Sequence, residues 1–149
     1  MEVKNPVIFV SYSHKDEEDK KEIKKFIGSI DTNFKFDIWD DTKIQTGDIW
    51  KQKIEKAISE AHIAILLLSI DFLDSDFIKN DELPLLLEKY NKDKIIIFCV
   101  LIGYCPIDYN PFFKKLQIFN KNSPLRDLPE GEKAKQLSKL AGEIYDLCN

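Results

Sequence analysis

Cysteine and histidine are scarce in this chain, and their scarcity excludes two kinds of structural framework. The 149 residues include three cysteines, Cys99, Cys105 and Cys148, and two histidines, His14 and His62. An odd number of cysteines without close pairing predicts neither a disulfide framework nor a zinc site. We therefore expect buried or incidental thiols in a reducing compartment, a solvated His14, a packed His62 and no bound metal.

Long hydrophobic runs are also absent. The longest strongly apolar stretches, residues 63–68 and 95–102, fall far short of the roughly 20 residues that a membrane-spanning helix needs. The apolar residues 7–10 are followed at once by polar residues and do not form a secretory signal. We therefore expect a soluble, cytoplasmic protein without a membrane partner.

The five glycines form none of the common phosphate-binding or nucleophile motifs. Ser-Tyr-Ser-His-Lys-Asp follows the first apolar run, where a Rossmann fold carries G-x-G-x-x-G, and neither a P-loop nor a G-x-S-x-G elbow occurs. Ser13 and His14 are adjacent, which is poor geometry for a nucleophile and its base. A phospho-receiver needs its acid pair after the first strand, whereas Asp40 and Asp41 follow the second. These observations argue against a glycine-rich phosphate-binding loop, against a serine nucleophile with its base, and against a phospho-receiver.

Arginine is nearly absent, since Arg126 is the single arginine among 22 basic residues. With 26 acidic residues the net charge is −4, which argues against direct nucleic-acid binding. The negative charge is concentrated in residues 71–88, which contain six acids and one lysine. The acidic character therefore belongs to this window rather than to the whole chain.

Apolar runs alternate with amphipathic helical patterns along the chain. The runs typical of strands are residues 7–10, the alternating 34–38, 63–68, 95–102 and 116–119. This alternation predicts a parallel sheet with helices on both faces. We predict one α/β domain over residues 1–149, a flavodoxin-like three-layer sandwich whose five parallel strands have the order 2-1-3-4-5.

Ligands in such folds bind beyond the carboxyl ends of the strands. We place the first three of these ends at Ser11-Tyr12-Ser13, at Trp39-Asp40-Asp41 and at Ser69-Ile70-Asp71. A helix downstream contains Pro84, which fits only in its first turn, so Glu82 is expected close to the start of that helix.

A carboxylate at a helix start is stabilised in its ionised form by the helix dipole and by free backbone N–H groups. Near the aromatic Phe72 and Phe77, an ionised Glu82 suits the stabilisation of a cationic transition state, such as that of glycosidic-bond cleavage. The alternative is that the acids of residues 71–88 cap helices and carry solvated loop charge. Spacing alone favours this alternative.

Four segments of the chain, in order, resemble the Toll/interleukin-1 receptor (TIR) domain, especially its bacterial type. They are VIFVSYSHKD (residues 7–16), IWDDTKIQTGDIW (38–50), ILLLS (65–69) after Ala57-Ile58, and SIDFLDSDFI (69–78) with ELP at 82–84. The first resembles the first strand and its serine-tyrosine-serine box, and the second resembles the second strand with the BB loop. The resemblance covers nearly all of the chain.

This resemblance implies an activity. Many bacterial TIR domains cleave NAD⁺ at the nicotinamide–ribosyl bond, giving nicotinamide and ADP-ribose or a cyclic isomer, and need no further cofactor. The glutamate of the family's E-L pair is catalytic, and it matches Glu82. The family often has tryptophan four residues earlier, where this chain has Ile78, with Phe77 five residues before the glutamate. Asp81 is therefore a weaker alternative carboxylate.

The resemblance also implies supporting roles around the NAD⁺ site. Hydroxyl groups and backbone amides at the end of the first strand are expected to contact ribose or phosphate. Trp39 either stacks on a flat ring of the ligand or packs under the BB loop. Lys43 is expected to meet the charge of the pyrophosphate. The expected binding residues are Ser11, Tyr12, Ser13, Trp39, Asp40, Lys43 and Phe77. Trp50 lies on the apolar stripe of its helix and is expected in the core, and Gly47 is expected to serve loop conformation.

Two further functions stay open beside the NAD⁺ hydrolase. One is a non-catalytic signalling scaffold built from TIR–TIR contacts through the BB loop, residues 40–48. The other is a nucleoside-processing transferase with a similar fold and a catalytic carboxylate. For the enzyme, the resemblance implies bacterial antiviral defence, activation by self-association and a separate or fused sensor module.

Overall fold

The computed structural model describes residues 5–30, 35–93 and 95–148. In this part of the chain four strands alternate with six α-helices. In chain order the elements are β1 (Val7–Ser11), α1 (Glu17–Gly28), β2 (Asp37–Trp39), α2 (Trp50–Glu60), β3 (Ile63–Leu68), α3 (Ile70–Asp74), α4 (Leu83–Asp93), β4 (Ile96–Leu101), α5 (Pro111–Lys114) and α6 (Glu130–Cys148).

The four strands form one parallel sheet in the order β2-β1-β3-β4. Ile8 of β1 lies opposite Ile38 on one side and Ile63 on the other, and Ile63 in turn lies opposite Ile96. The predicted α/β class and parallel strand order are confirmed. The second strand begins later than its alternating pattern suggested, and Phe34 lies outside the described residues.

The sheet has four strands where the sequence predicted five. The predicted fifth strand, residues 116–119, makes one parallel bridge, between Ile118 and Cys99. Directly after it the chain turns, and the Asn120 side chain takes over the pairing. Its Nδ2 donates to the Leu101 carbonyl and its Oδ1 accepts from the Leu101 N–H, both at 2.8 Å. One buried amide thus satisfies backbone groups that a fifth strand would pair.

The two faces of the sheet carry different helices. Odd-numbered residues of β3 pack with α1 and α6, whereas even-numbered residues of β3 pack with α2, α3, α4 and α5. All six residues of β3 are buried, which explains their continuous apolar run. No helix within the described residues combines the length and the apolarity that crossing a membrane requires.

Between α3 and α4 the helical backbone contains a π-helical turn, Ile78–Glu82. Ser75 begins this helical segment, since its Oγ accepts from the Ile78 N–H at 3.2 Å. The Leu83 N–H donates to the Ile78 carbonyl, and α4 follows without a break. Pro84 therefore lies in the first turn of α4, as predicted, but Glu82 is preceded by helix and does not lie at a free helix N-terminus.

Candidate active site

A cavity of about 390 Å³ opens beside the carboxyl end of β1. It is lined by residues 12–15 from the β1–α1 connection, by Asp41 after β2, and by side chains of residues 71–82 from α3 and the π-helical turn. Its size falls within the roughly 300–1,000 Å³ of small-molecule sites. All three of the strand ends named from the sequence therefore contribute to one concave site.

Glu82 is the buried acid of this cavity, with only 6% of its surface exposed. The pKa of its carboxyl is raised to about 7, mainly by burial and also by the nearby charges of Asp41 and Asp81, while a hydrogen-bonding contact with the Ser11 hydroxyl opposes the shift. The sequence predicted a carboxylate held ionised by a helix start. Because helix precedes Glu82, its carboxyl has no free helix N-terminus to stabilise the charge. Removal of the carboxyl from water is then the dominant effect on its pKa, and the group exchanges its proton near neutral pH.

The Ser11 hydroxyl lies beneath this carboxyl at the end of β1. Ser11 is 1% exposed, and its Oγ has no hydrogen bond of normal geometry within the described part of the chain. It nevertheless lies close enough to Glu82 to favour the ionised carboxylate. Ser11 lies outside the described lining of the cavity, so its hydroxyl acts on Glu82 rather than at the cavity surface.

The π-helical turn accounts for the unusual spacing between Phe77 and Glu82. A π-helical turn closes i→i+5 hydrogen bonds and so takes about one residue more than an α-helical turn. In an α-helix, a residue four positions before Glu82 would lie on the same side of the helix as Glu82. In this π-helical turn, the residue five positions before Glu82 lies on that side. Both Phe77 and Glu82 line the cavity. Ile78, at the position that the resemblance gives to tryptophan, also lines the cavity, and Phe77 supplies the aromatic side chain beside it.

Asp41 joins the cavity to the end of β1. It accepts a hydrogen bond from the Tyr12 hydroxyl at 2.6 Å, and its other oxygen lies 2.6 Å from His14 Nε2. Burial, followed by the hydrogen bonds to Asp41 and Glu17, raises the pKa of Tyr12 far above its usual value, so Tyr12 remains a neutral donor. The sequence had named the neighbouring Asp40 instead, and His14, which it predicted to be solvated, has a side chain that is 81% exposed.

Asp40 has a structural role instead. It is fully buried, and it accepts from the Thr42 N–H at 2.9 Å and from the Thr42 hydroxyl. Its Oδ2 lies 3.4 Å from Lys20 Nζ and 3.3 Å from Lys24 Nζ. Although burial opposes it, these partners hold the pKa of Asp40 below its usual value. The carboxylate therefore anchors the start of the loop of residues 40–48.

Ser13 and Lys15 line the cavity on its β1 side. The Ser13 Oγ accepts from the Lys15 N–H at 3.3 Å and caps a short turn, His14–Asp16. The Lys15 ammonium lies 3.7 Å from Asp71 at the opposite wall. Among the described residues, Lys15 is the lysine that lines this cavity. The sequence had predicted Lys43 as the lysine of the site.

Trp39 and Lys43 lie away from the described lining of the cavity. The Trp39 ring stacks on Phe9, with centroids 5.3 Å apart and planes 13° apart, so it packs on the sheet. The Lys43 ammonium is 2.7 Å from Asp37 on the surface. For Trp39 the structure therefore favours packing, the alternative that the sequence left open.

Trp50 is not in the core, contrary to the sequence prediction. It is the first residue of α2, is 47% exposed, and packs edge-on against Phe77 with centroids 5.1 Å apart. Helical side chains lean toward the helix N-terminus, so the ring of a first residue extends beyond the helix end. The apolar stripe of α2 identified the helix face but did not reveal this contact with the cavity wall.

A buried ionic contact ties the loops of the site together. Asp16 is 1% exposed and accepts from the Ser69 hydroxyl at 2.5 Å and from Arg126 Nη2 at 2.7 Å. The same Nη2 contacts Asp19 at 2.6 Å. Ser69 also caps α3 by accepting from the Phe72 N–H at 3.0 Å. The lone arginine thus holds the β1–α1 connection against the start of α3.

Metal binding finds no support in the described ranges, where no group of three or more His, Cys, Asp and Glu side chains is arranged to hold an ion. The site combines a buried carboxyl, hydroxyls, an aromatic wall and a surrounding surplus of acids. Such a site can bind and stabilise a positively charged organic centre.

The fold and this site define an α/β domain of the TIR type. The family model of the TIR domain matches residues 8–140, so the chain belongs to the TIR domain family. This confirms the resemblance found in the sequence, and a relative in a bacterium fits the bacterial type.

That relative is the uncharacterized protein y4lF of Sinorhizobium fredii, which is 25% identical over 144 residues. The match covers 93% of this chain but 45% of the relative, so the chain spans about half the length of that protein. Two solved structures share the fold. The RPS4 and RRS1 TIR domain heterodimer has a TM-score of 0.57 and 13% identity, covering 95% of this chain and 96% of the other.

The second solved structure shows the TIR domains of the activated Roq1 resistosome, which directly recognises the pathogen effector XopQ. Its TM-score is 0.52 with 20% identity, and the match covers 92% of this chain and 84% of that chain. At these identities both likenesses support the fold.

Proposed function

We propose that this chain is an NAD⁺ glycohydrolase that cleaves the nicotinamide–ribosyl bond. The products are nicotinamide and either ADP-ribose or a cyclic isomer of it. The TIR family includes NAD-cleaving enzymes. The observation that carries the proposal is Glu82, a 94% buried carboxyl with a pKa raised to about 7, facing a cavity at the carboxyl end of β1.

The reaction makes clear what Glu82 contributes. When the bond breaks, its electron pair leaves with nicotinamide as a neutral base, and positive charge develops at the ribose carbon. An ionised carboxylate beside that carbon stabilises the charge, more strongly in a site shielded from water. Addition of water then gives ADP-ribose, whereas addition of the adenine ring gives a cyclic isomer.

Hydroxyl groups at the end of β1 complete the proposed site. We propose that Ser13, which lines the cavity, meets a ribose hydroxyl, that Tyr12 acts as a neutral donor held by Asp41, and that Ser11 acts from beneath through Glu82. Lys15 lines the cavity and is better placed than Lys43 to meet the diphosphate. No nucleic acid or further cofactor takes part in this scheme.

The test of this proposal compares Glu82→Gln with Asp81→Asn. Purified proteins are incubated with NAD⁺ and nicotinamide release is followed by chromatography. We expect Glu82→Gln to lower kcat at least about 100-fold, since an electrostatic stabiliser of the transition state is lost. Asp81→Asn changes a neighbouring acid outside the described lining of the cavity and should retain most activity. Equal rates for wild type and Glu82→Gln would remove Glu82 from the mechanism.

Assembly is the second part of the proposal. Both structural neighbours are TIR domains in complexes, one a heterodimer and one a resistosome. The loop of residues 40–48 contains Gly47, with φ of 94°, near its end, and the next residue, Ile49, is 61% exposed. We propose that this loop mediates self-association in the cytoplasm of a bacterium during antiviral defence, under a separate or fused sensor. A scaffold without catalysis is the alternative, and wild-type protein that assembles without releasing nicotinamide would favour it.

A further inference from the structure

Arg126 lies where the β1–α1 connection meets the carboxyl end of β4, outside the described lining of the cavity. Its Nη2 atom lies 2.7 Å from Asp16 and 2.6 Å from Asp19. Its backbone N–H donates to the Ile102 carbonyl at 3.0 Å, and a β-carbon on Gly103 would lie 3.5 Å from its Nη1 atom. The guanidinium is therefore held in one place by contacts from both segments.

Asp16 connects this guanidinium to both walls of the cavity. The residue is 1% exposed and directly follows residues 12–15, which form the wall on the β1 side. One of its carboxylate oxygens contacts the guanidinium, and the other accepts from the Ser69 hydroxyl at 2.5 Å. Ser69 caps α3, from which Asp71 and Asp74 line the opposite wall. A single buried carboxylate thus sets the separation of the two walls.

The direction of the Asp16 carboxylate depends on its cation. Within the described ranges Arg126 is the one cation that pairs with Asp16, whereas the Ser69 hydroxyl is neutral. A buried carboxylate that loses its cation carries an uncompensated charge. We expect such a carboxylate to turn toward solvent and to move residues 12–15 away from α3. The shape of the cavity therefore depends on a side chain outside its described lining.

We propose that Arg126 is a positioning residue for the proposed reaction, which acts through Asp16 to hold the two cavity walls at the separation that cleavage needs. This inference rests on the proposed function and extends it to a residue outside the cavity. A misplacement of about 1 Å can lower a rate roughly 100-fold. Walls that have moved apart still bind substrate but align its ribose poorly with Glu82, so the loss falls on kcat rather than on KM.

A double-mutant cycle tests whether Arg126 acts through Asp16. The variants are Arg126→Gln, Asp16→Asn, the two combined, and Arg126→Lys. Nicotinamide release from NAD⁺ gives kcat and KM for each, at a temperature at which circular dichroism shows the protein folded. The matched control is Lys133→Gln, because Lys133 also pairs with an acid of α1, Glu22 at 3.0 Å, and lies outside the described lining of the cavity.

We expect Arg126→Gln to lower kcat about 30-fold and to change KM less than about threefold. Asp16→Asn should have a similar effect, and the combined variant should be no worse than either single variant, since all three lose the same contact. A single nitrogen, Nη2, contacts both acids, so the ammonium of Arg126→Lys should replace it and keep at least about one third of the wild-type kcat. Lys133→Gln should match wild type.

Hydrogen exchange gives a second measurement, which needs no turnover. Mass spectrometry follows the backbone amides of residues 12–16 and 70–75, which belong to the two walls. Arg126→Gln should speed exchange at least about tenfold in both segments, and Lys133→Gln should leave both unchanged. The combined variant leaves no charge of this pair buried alone, so it carries both measurements even where Arg126→Gln fails to fold.

A folded Arg126→Gln or combined variant with wild-type kcat would overturn the inference. Losses that add in the combined variant, a loss in KM alone, or unchanged exchange in both walls would also overturn it. If wild type cleaves NAD⁺ and these variants behave like it, the inference fails and the proposed function stands. If wild type releases no nicotinamide while loss of the guanidinium speeds exchange in both walls, the proposed function fails and the role of Arg126 in holding the cavity stands.

Discussion

At the scale of single residues, Glu82 shows how position determines chemistry. An exposed glutamate at a helix start would be a permanently ionised cap, whereas burial behind a π-helical turn raises its pKa to about 7. The carboxyl is therefore ionised at the cost of folding stability. Strongly shifted pKa values of this kind are concentrated at functional sites, which agrees with the role proposed for Glu82.

The cost predicts a pH-dependent gain in stability for Glu82→Gln. In the unfolded chain the carboxyl ionises near 4.5, the ordinary pKa of a glutamate side chain, whereas in the folded chain it keeps its proton up to about 7. Stability contributed by this group is present below pH 4.5 and is lost as the pH rises through about 7. We expect Glu82→Gln to match wild type at about pH 4 and to be more stable at about pH 8, by up to about 3 kcal/mol.

Thermal unfolding at the two pH values measures this difference. Glu88→Gln, on the exposed surface of α4, is the matched control and should change Tm little at either pH, since its contact with Lys92 is a surface ion pair. A Glu82→Gln variant whose Tm relative to wild type is the same at the acidic and the alkaline pH would contradict the raised pKa.

The sequence predicted Glu82 near Phe77 from the acid and aromatic pattern as well as from the resemblance, and it named Ser11, Tyr12 and Ser13 at the strand end. Of these five residues, all but Ser11 line the cavity. It chose Asp40 over Asp41 because adjacent residues after a short strand cannot be told apart by pattern. Which of them faces the sheet depends on the turn that follows, and here Asp40 is buried by Lys20 and Thr42. The sequence wrongly predicted Trp50 in the core. Periodicity identifies the buried face of a helix, but it does not show that the first residue of the helix extends beyond the core.

At the scale of elements, the π-helical turn sets the direction of Glu82. This turn absorbs one residue between Phe77 and Glu82, so that both lie on the cavity side. Sequence periodicity assumes about 3.6 residues per turn and cannot place such a turn. Pro84, which has no N–H to donate to a normal α-helical turn, was the one local sign that the helix is irregular here.

The turn predicts opposite effects for removing and adding one residue. Deletion of Lys79, which is exposed, should convert the turn to α-helix and leave Phe77 four positions before the glutamate, on the same side. We expect this deletion to retain nicotinamide release within about tenfold. Insertion of one alanine after Lys79 rotates the glutamate by about 100° and should lower activity at least about 100-fold.

Rates of nicotinamide release for the two length variants, with circular dichroism to verify folding, test this expectation. If the deletion is as inactive as the insertion while both fold, the π-helical turn itself is required. That result would show that bringing Phe77 and Glu82 to the same side of the helix is not enough for activity.

Asn120 is the second element-scale feature, since it closes the β4 edge in place of a strand. Asn120→Ala removes both hydrogen bonds to Leu101 and leaves two buried backbone groups unpaired. We expect a loss of about 2–4 kcal/mol in urea unfolding. Asn122→Ala, at an exposed position two residues later, should change stability by less than about 0.5 kcal/mol. Equal stabilities for the two variants would show that the amide is dispensable.

The fifth strand was predicted because residues 116–119 have a strand-like apolar pattern. Within the described chain Ile118 alone of these residues forms a bridge, because α5 ends at Lys114 and the chain turns again at Phe119, which leaves too little extended chain for a ladder. Strand length depends on where the neighbouring turns fall, and a short apolar run does not report this.

At the scale of the whole molecule, side chains from both faces of the sheet meet at its carboxyl end, since Tyr12 belongs to the cluster of one face and Phe77 and Ile78 pack with that of the other. The helices α1 and α6 bury one face, and α2 to α5 bury the other, from which Trp50 and Phe77 extend to the cavity. This arrangement was predictable, since long buried strands and amphipathic helices dominate the pattern of the sequence.

The exposed end of the loop of residues 40–48 gives a prediction about assembly. Ile49→Glu places a charge at a residue that is 61% exposed, so folding should be preserved while an apolar contact between copies is weakened. We expect nicotinamide release per molecule to rise with protein concentration for wild type and to rise much less for Ile49→Glu. Tyr109→Glu, at a residue 87% exposed elsewhere, is the control.

Light scattering at the same concentrations reports assembly directly. Ile49→Glu that assembles and works like wild type would place the interface elsewhere on the surface. A specific activity of wild type that does not depend on concentration would show that assembly does not activate this chain.

The contact between Asp16 and Arg126 joins residues 110 positions apart, which bears on how the protein is made. Every described residue that lines the cavity precedes residue 83, so a ribosome has completed the site's components long before it reaches Arg126. Until then Asp16 is a buried charge without its cation, which costs several kcal/mol. The nascent chain therefore acquires a settled site only after Arg126 has been synthesised, at least 44 residues after the last residue that lines the cavity.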